Sequence, residues 1–167
     1  MRLSGITPES LVDGPGLRFV IFTQGCPHHC PNCHNPESWD IDKGKEFSVK
    51  QIIRLLKQQK KTIRGITFSG GEPFLQAEEL TQVAQAAHKI GWDVVTYSGY
   101  TYEQLIEQQK SDSNIKSLIS ESDILIDGRY IDEKRIIDLP FRGSSNQRMI
   151  DITKTQTSGQ IVLWNTV

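Results

Sequence analysis

Cysteine is scarce in this chain: three residues in 167, all lying between positions 26 and 33. An odd number packed into one loop argues against a disulfide framework and for a metal or cluster site. No apolar run reaches the roughly 18 residues of a membrane-spanning helix, so no membrane partner is expected. The opening stretch MRLSGITPESLVDGPG has neither an apolar signal core nor a small-residue cleavage site. The expected location is the cytoplasm, where thiols stay reduced. An excess of one charge is lacking too. With 19 Lys+Arg against 20 Asp+Glu, the net charge of −1 provides no broad field for nucleic acid. The run Lys57, Lys60, Lys61, Arg64 reads as the solvated end of a helix. Internal repeats and low-complexity linkers are also missing, so residues 1–167 read as a single domain.

What is present is an alternation of strand and helix. Residues 17–23 (LRFVIFT) are β-branched and aromatic and predict a strand. Residues 48–60 predict a helix opened by a Ser48/Gln51 capping box. A short buried strand follows at 65–69, ending at Gly70-Gly71. A helix over about 77–90 carries Leu80, Val83, Ala84 and Ala87 on one side, with Gly91 as a left-handed stop. The pattern continues with a strand at 92–97, a helix from a Thr101/Gln104 capping box to about 109, a helix at 113–121 and a strand at 123–127. Residues 128–148 are rich in charge, Gly and Ser. A last strand is expected at 160–164, and the chain after about 150 otherwise reads as irregular. This alternation predicts an α/β fold with a parallel sheet. Ligands gather at the carboxyl ends of such strands. Cys26, Gly70-Gly71, Ser98-Gly99 and Asp127-Gly128 all follow strands, so one site is expected to unite them.

The cysteine segment reads Gly25-Cys26-Pro27-His28-His29-Cys30-Pro31-Asn32-Cys33-His34, a C-x3-C-x2-C spacing. Thiolates are the ligands of iron–sulfur clusters, and a [4Fe–4S] cubane normally takes four. Three cysteines hold three irons, and with no fourth cysteine in the chain one iron stays open to an outside ligand. An open position marks a catalytic rather than a structural metal site. The alternative at this point is zinc, held by the three cysteines with His28, His29 or His34. Structural zinc sites more often come as two separated pairs. The adjacent His28 and His29 are expected on the loop surface.

A C-x3-C-x2-C loop after the first strand resembles the signature of the radical S-adenosylmethionine superfamily, and Ser69-Gly70-Gly71-Glu72-Pro73 resembles the GGEP turn of the same superfamily. The resemblance implies a partial (β/α)6 barrel, open at one side. It implies Cys26, Cys30 and Cys33 as ligands of a [4Fe–4S] cluster whose free iron binds S-adenosylmethionine. Asn32, Cys33, His34 and Gly71 would surround that cofactor, with Ser69, Gly70 and Glu72 nearby. Asn32 stands where relatives usually carry an aromatic residue. Residues 96–100, with Ser98, resemble a polar stretch near the ligand. Residues 126–129 resemble a stretch where Asp127 and a basic residue touch the carboxylate region of the cofactor. Reduction then yields a 5′-deoxyadenosyl radical, so no general base is required and no histidine receives an acid–base role.

Three further segments narrow the resemblance to activases of glycyl radical enzymes. Val12-Asp13-Gly14-Pro15-Gly16-Leu17-Arg18 resembles their VDGPG-(I/L)-R opening, and Cys33-His34-Asn35-Pro36-Glu37-Ser38-Trp39 their CHNP-x-(S/T)-W continuation. Residues 141–148 (FRGSSNQR) resemble the tail of activases that serve anaerobic ribonucleoside-triphosphate reductase. The implied partners are the large subunit of that reductase and a flavodoxin-type or similar electron donor, with a homodimer inside a heterotetramer. Two other readings stand beside this one: an activase of pyruvate formate-lyase or another glycyl radical enzyme, and a non-enzymatic iron–sulfur or zinc redox module.

Overall fold

The computed structural model describes residues 1–165, so the last two residues of the expected 1–167 domain lie outside the described residues. Among the described residues, seven strands form one mixed sheet in the order β3-β1-β2-β4-β5-β6-β7. Its centre is parallel: β2 (Arg18–Thr23), β4 (Gly65–Gly70), β5 (Asp93–Tyr97) and β6 (Ile124–Asp127). These strands are buried on both faces, which is why they read as near-continuous apolar runs. At the flanks, β1 (Arg2–Ser10) pairs antiparallel with β2 and with the two-residue β3 (Lys45–Glu46), and β7 (Arg148–Asp151) pairs antiparallel with β6.

The mixed α/β architecture agrees with the expected fold class. Among the described residues four strands are parallel, the three at the flanks are antiparallel, and the sheet does not close.

Among the described residues, five α-helices cross between strands or follow them: α1 (Val49–Lys57), α2 (Ala77–Lys89), α3 (Tyr102–Gln108), α4 (Ser113–Glu121) and α5 (Ile152–Ser158). Both expected capping boxes are formed, with the Ser48 and Thr101 side chains accepting from the Gln51 and Gln104 amides. Gly91 takes φ +83°, a left-handed stop that glycine adopts without a Cβ clash. The helices bury one face of the sheet. Phe19, Ile21, Ile66, Phe68, Val94 and Leu125 pack there against Ile52, Leu56, Leu80, Val83, Leu105 and Leu118. The alternate residues Val95, Ile124, Ile126 and Met149 pack on the opposite face with Tyr97, Phe141 and Trp164. Strand periodicity of two therefore gives the sheet a structural face and a second face free to build a site.

Arg18 lies fully buried among these elements. It donates to Thr67 Oγ1 at 3.1 Å, pairs with Asp93 and reaches the Pro15 carbonyl at 3.4 Å. The Asp-Gly-Pro-Gly turn is thereby tied to the sheet, with Thr67 Oγ1 donating to the Asp13 carbonyl at 2.8 Å.

The expected strand at 160–164 is reduced to one bridge, Leu163 with Ile150, flanked by amide bonds from Asp151 to Val162 and from Trp164 to Met149. The stretch after residue 150 is less irregular than expected, because Asp151 caps α5 by accepting from the Lys154 amide.

β7 is fastened by Arg148, whose Nε donates to Asp127 Oδ1 at 3.0 Å and whose Nη2 donates to Glu103 Oε2 at 2.7 Å. The guanidinium holds the Glu103 carboxyl at about 2, well under its ordinary 4.5. A folded pKa lowered in this way stabilises fully above about pH 4.5 and is lost as pH falls through about 2. The Glu103 side chain is 58% exposed, so solvent screening limits the pair to less than about 1 kcal/mol. Glu103→Gln should cost no more than about that at neutral pH, and should flatten the acid limb of a urea-denaturation pH profile. An acid limb identical to wild type would refute the assignment.

Candidate functional site: a three-cysteine cavity

The carboxyl ends of β2, β4, β5 and β6 converge on a cavity of about 610 Å³. Ligand pockets commonly span about 300–1,000 Å³. Cys26, Cys30, Cys33, His34, Ser69, Gly70, Gly71 and Ser98 all line it, and they come from three separate loops. The structure thus brings together eight of the residues singled out from the sequence. Asn32, Glu72 and Asp127 are not among its lining residues.

The cysteine loop leaves β2 through Gly25 at φ +97°. It is fastened by amide bonds from Gly25 to the Ser38 carbonyl (2.7 Å) and from Cys26 to the Trp39 carbonyl (3.1 Å). His29 (φ +47°) and Asn32 (φ +55°) are left-handed non-glycine residues. Each immediately precedes a cysteine, so the chain turns sharply before both Cys30 and Cys33. Asparagine tolerates this conformation better than a bulky aromatic residue, which gives a local reason for Asn32. Its side chain points away to Asp132, at 2.8 Å.

The three thiols are half-buried and free. Burial pushes the Cys26 thiol up to about 11 and the Cys30 thiol up as well. The neighbouring sulfurs add to both shifts, since one thiolate disfavours the next. Bound metal reverses this balance by displacing the protons. The Asn35 amide already donates to Cys33 Sγ at 3.4 Å. Among the described residues, no three His, Cys, Asp or Glu side chains gather as a site for a single ion. Three thiols lining one cavity are donors of the kind that iron–sulfur clusters take.

His28 corrects an expectation: it is buried, not on the loop surface. Its Nε2 donates to Glu72 Oε2 at 2.7 Å and its ring meets Tyr100 edge-on at 4.5 Å. His29 remains exposed and packs on Trp39, and His34 packs on Tyr130.

Glu72 is fully buried behind the cavity. It accepts from the Phe74 amide (3.1 Å), Ser98 Oγ (3.0 Å) and the Gly99 amide (2.9 Å), besides His28. It therefore joins the cysteine loop, the glycine turn and the β5 loop. The glycine turn itself is tight for a protein reason. A Cβ on Gly71 would strike the Gly25 carbonyl, and one on Gly70, at φ +90°, would come within 2.8 Å of the Phe22 backbone.

Asp127 is likewise buried, accepting from the Tyr102 amide at 2.7 Å and from Arg148. The basic residue beside it in sequence, Arg129, lines the cavity instead. The polar 143–147 segment is an ordered brace. Gln147 Oε1 accepts from the Gly143 amide at 2.9 Å, while Gln147 Nε2 donates to the Gly128 carbonyl at 3.0 Å. Asn146 Nδ2 donates to the Arg129 carbonyl at 2.8 Å. These bonds hold the β6 loop over the site.

Sequence reasoning named Val12 only within the opening at residues 12–18 and did not single out Leu11 or Ile137 as an apolar rim of the cavity. Leu11, Val12 and Ile137 line it yet remain 70%, 76% and 87% exposed. The signal available was apolar side chains inside polar loops, which periodicity does not weigh.

A family model described as a 4Fe-4S single cluster domain matches residues 12–150. The anaerobic ribonucleoside-triphosphate reductase-activating protein of Vibrio cholerae is 32% identical over 148 residues, covering 84% of this chain and 91% of that protein. The protein of the same name from Escherichia coli K12 is 32% identical over 148 residues, with 84% and 92% covered. The pyruvate formate-lyase-activating enzyme of Clostridium pasteurianum is 33% identical over 138 residues, with 79% of this chain and 54% of that protein covered.

Proposed function

We propose that this chain, which belongs to the family of 4Fe-4S single cluster domains and is 32% identical to anaerobic ribonucleoside-triphosphate reductase-activating proteins over 84% of its length, activates such a reductase by generating a glycyl radical in its large subunit. The observation that carries this reading is the cavity that Cys26, Cys30 and Cys33 share with the glycine turn, in a chain with no fourth cysteine. Those three thiolates would hold the cluster and would leave one iron for S-adenosylmethionine. Held there, the group would supply radical chemistry: one electron from an external reductant would cleave the sulfonium S–C5′ bond to methionine and a 5′-deoxyadenosyl radical, which would take the glycine Cα hydrogen and leave as 5′-deoxyadenosine.

The chain's own residues bind, orient and shield. The Gly70-Gly71 backbone and Ser98 line the cofactor side, and Arg129 offers a cation to a carboxylate. Glu72 and His28 hold these loops in one geometry, and Asp127 acts at one remove, through Arg148 and the Tyr102 amide. The open sheet is read as a short variant of the superfamily's partial barrel. Its uncovered side admits a protein substrate, and glycine suits the reaction because no side chain blocks its Cα. The exposed apolar rim of Leu11, Val12 and Ile137 surrounds that approach. The electron donor is flavodoxin-type or similar, the chain works as a homodimer inside a heterotetramer, and the setting is the cytoplasm, where thiols stay reduced. Among the described residues, no helix is long and apolar enough to cross a membrane.

The test is anaerobic reconstitution with iron and sulfide, then mixing with the reductase, S-adenosylmethionine and a reductant. A glycyl radical signal should form on the reductase and not on pyruvate formate-lyase. Ile137→Glu should raise the KM for the reductase about tenfold, equivalent to about 1.4 kcal/mol, and leave 5′-deoxyadenosine formation without the partner unchanged. No radical on the reductase from a cluster-loaded protein would end this reading.

A further inference from the structure

Trp39 carries a feature that neither the fold nor the loop explains. Its indole Nε1 is buried, yet it meets no acceptor among the described residues. Buried side-chain donors nearly always find a partner, so an orphan calls for one that is not protein. Trp39 lines the same cavity as the three thiols. Its position is fixed by the bond from the Cys26 amide to its carbonyl (3.1 Å) and by the His29 ring at 4.9 Å. Gly25 and Ser38 bond just beside it at 2.7 Å. The ring is therefore held against the loop whose cysteines bind the cluster.

We propose that the Trp39 indole N–H donates a hydrogen bond to a sulfur of the bound cluster, either a sulfide or a cysteine thiolate, and so sets the reduction potential. This rests on the cluster reading above. The acceptor that the protein lacks arrives with the cluster, whose sulfurs carry negative charge. Hydrogen bonds to those sulfurs are one of the means by which a protein tunes the potential. The reduced cluster holds one more negative charge than the oxidised one, so the bond stabilises it more and raises the potential. Trp39 is thus a positioning and tuning residue that makes the cluster easier to reduce.

The test uses Trp39→Phe, which keeps an aromatic ring and removes the donor. Wild type and variant are reconstituted anaerobically, and their iron and sulfide content is measured. The cluster is then titrated against potential, followed by EPR, without S-adenosylmethionine so that its carboxylate cannot serve as acceptor. The variant should keep wild-type iron and sulfide, and its reduced-to-oxidised ratio at a fixed potential should fall about tenfold, which is about 59 mV for one electron. An equal cluster content with an unchanged potential would overturn the proposal while leaving the cluster reading intact. Failure of both proteins to take up a cluster would overturn the cluster reading itself. If only the variant fails to load, wild type labelled with indole-15N tryptophan decides. A hyperfine coupling between the label and the reduced cluster supports the bond, and its absence refutes it. The other two tryptophans do not confuse this readout, since Trp92 packs on Phe19 and Trp164 lines a separate cavity with Met149.

Discussion

Cys30→Ala is expected to abolish the cluster and the cleavage of S-adenosylmethionine together. Cys30 is the middle of three thiols, and the chain has no further cysteine to replace it. Its neighbours are poorly suited to step in. His29 is turned onto Trp39, His28 is engaged by Glu72, and His34 rests on Tyr130. Loss of an outer-shell partner alone commonly costs about 10–100-fold in metal affinity, so loss of a ligand should exceed about 100-fold. The fold should survive, because Cys30 lies in a loop outside the buried core and forms no disulfide. The measurement is iron and sulfide per chain after anaerobic reconstitution, with circular dichroism as the folding control and 5′-deoxyadenosine as the activity readout. A folded Cys30→Ala protein that keeps both cluster and turnover would show that the thiols are not the ligands.

Glu72→Gln should destabilise the chain measurably. The carboxylate is fully buried and serves four donors: the Phe74 and Gly99 amides, Ser98 Oγ and His28 Nε2. A glutamine presents one oxygen and one NH2 group. Whichever way it turns, the NH2 meets one backbone N–H that cannot accept, that of Phe74 or that of Gly99, while the Ser98 hydroxyl, 3.0 and 3.1 Å from the two oxygens, and the His28 ring can switch to accepting. A buried N–H left without an acceptor costs roughly 1–3 kcal/mol, and that is the expected loss. That is a large fraction of the typical 5–15 kcal/mol stability of a domain. Urea unfolding of the cluster-free chain measures it without interference from metal. Because Glu72 ties the cysteine loop to the glycine turn, cluster retention should fall as well. A loss below about 1 kcal/mol would mean that these bonds do not hold the three loops together.

The sequence alone determined the parallel centre of the sheet and α1–α4. Those segments carry buried apolar runs, helical periodicity and capping boxes, all of them local signals. It also determined that three thiols sit in one loop, since their spacing is a property of the chain itself. The tertiary structure decided the rest. β1 escaped notice because Arg2–Ser10 is polar, contains Gly5 and Pro8, and gains its strand character by pairing with Phe22, Ile21 and Val20. α5 is threonine-rich, with weak helix propensity, and is held by its Asp151 cap and by burial of Ile152 and Thr155. Whether the edges of the sheet meet is set by which strands flank it, and antiparallel flanks carry no local mark. The same holds for the site. Glu72 follows β4 and Asp127 ends β6, as a ligand-facing residue would, but each points into the protein because distant donors meet it there: His28 for one, Arg148 for the other. The burial of a polar side chain depends on partners far away in sequence, and no short window of residues contains them.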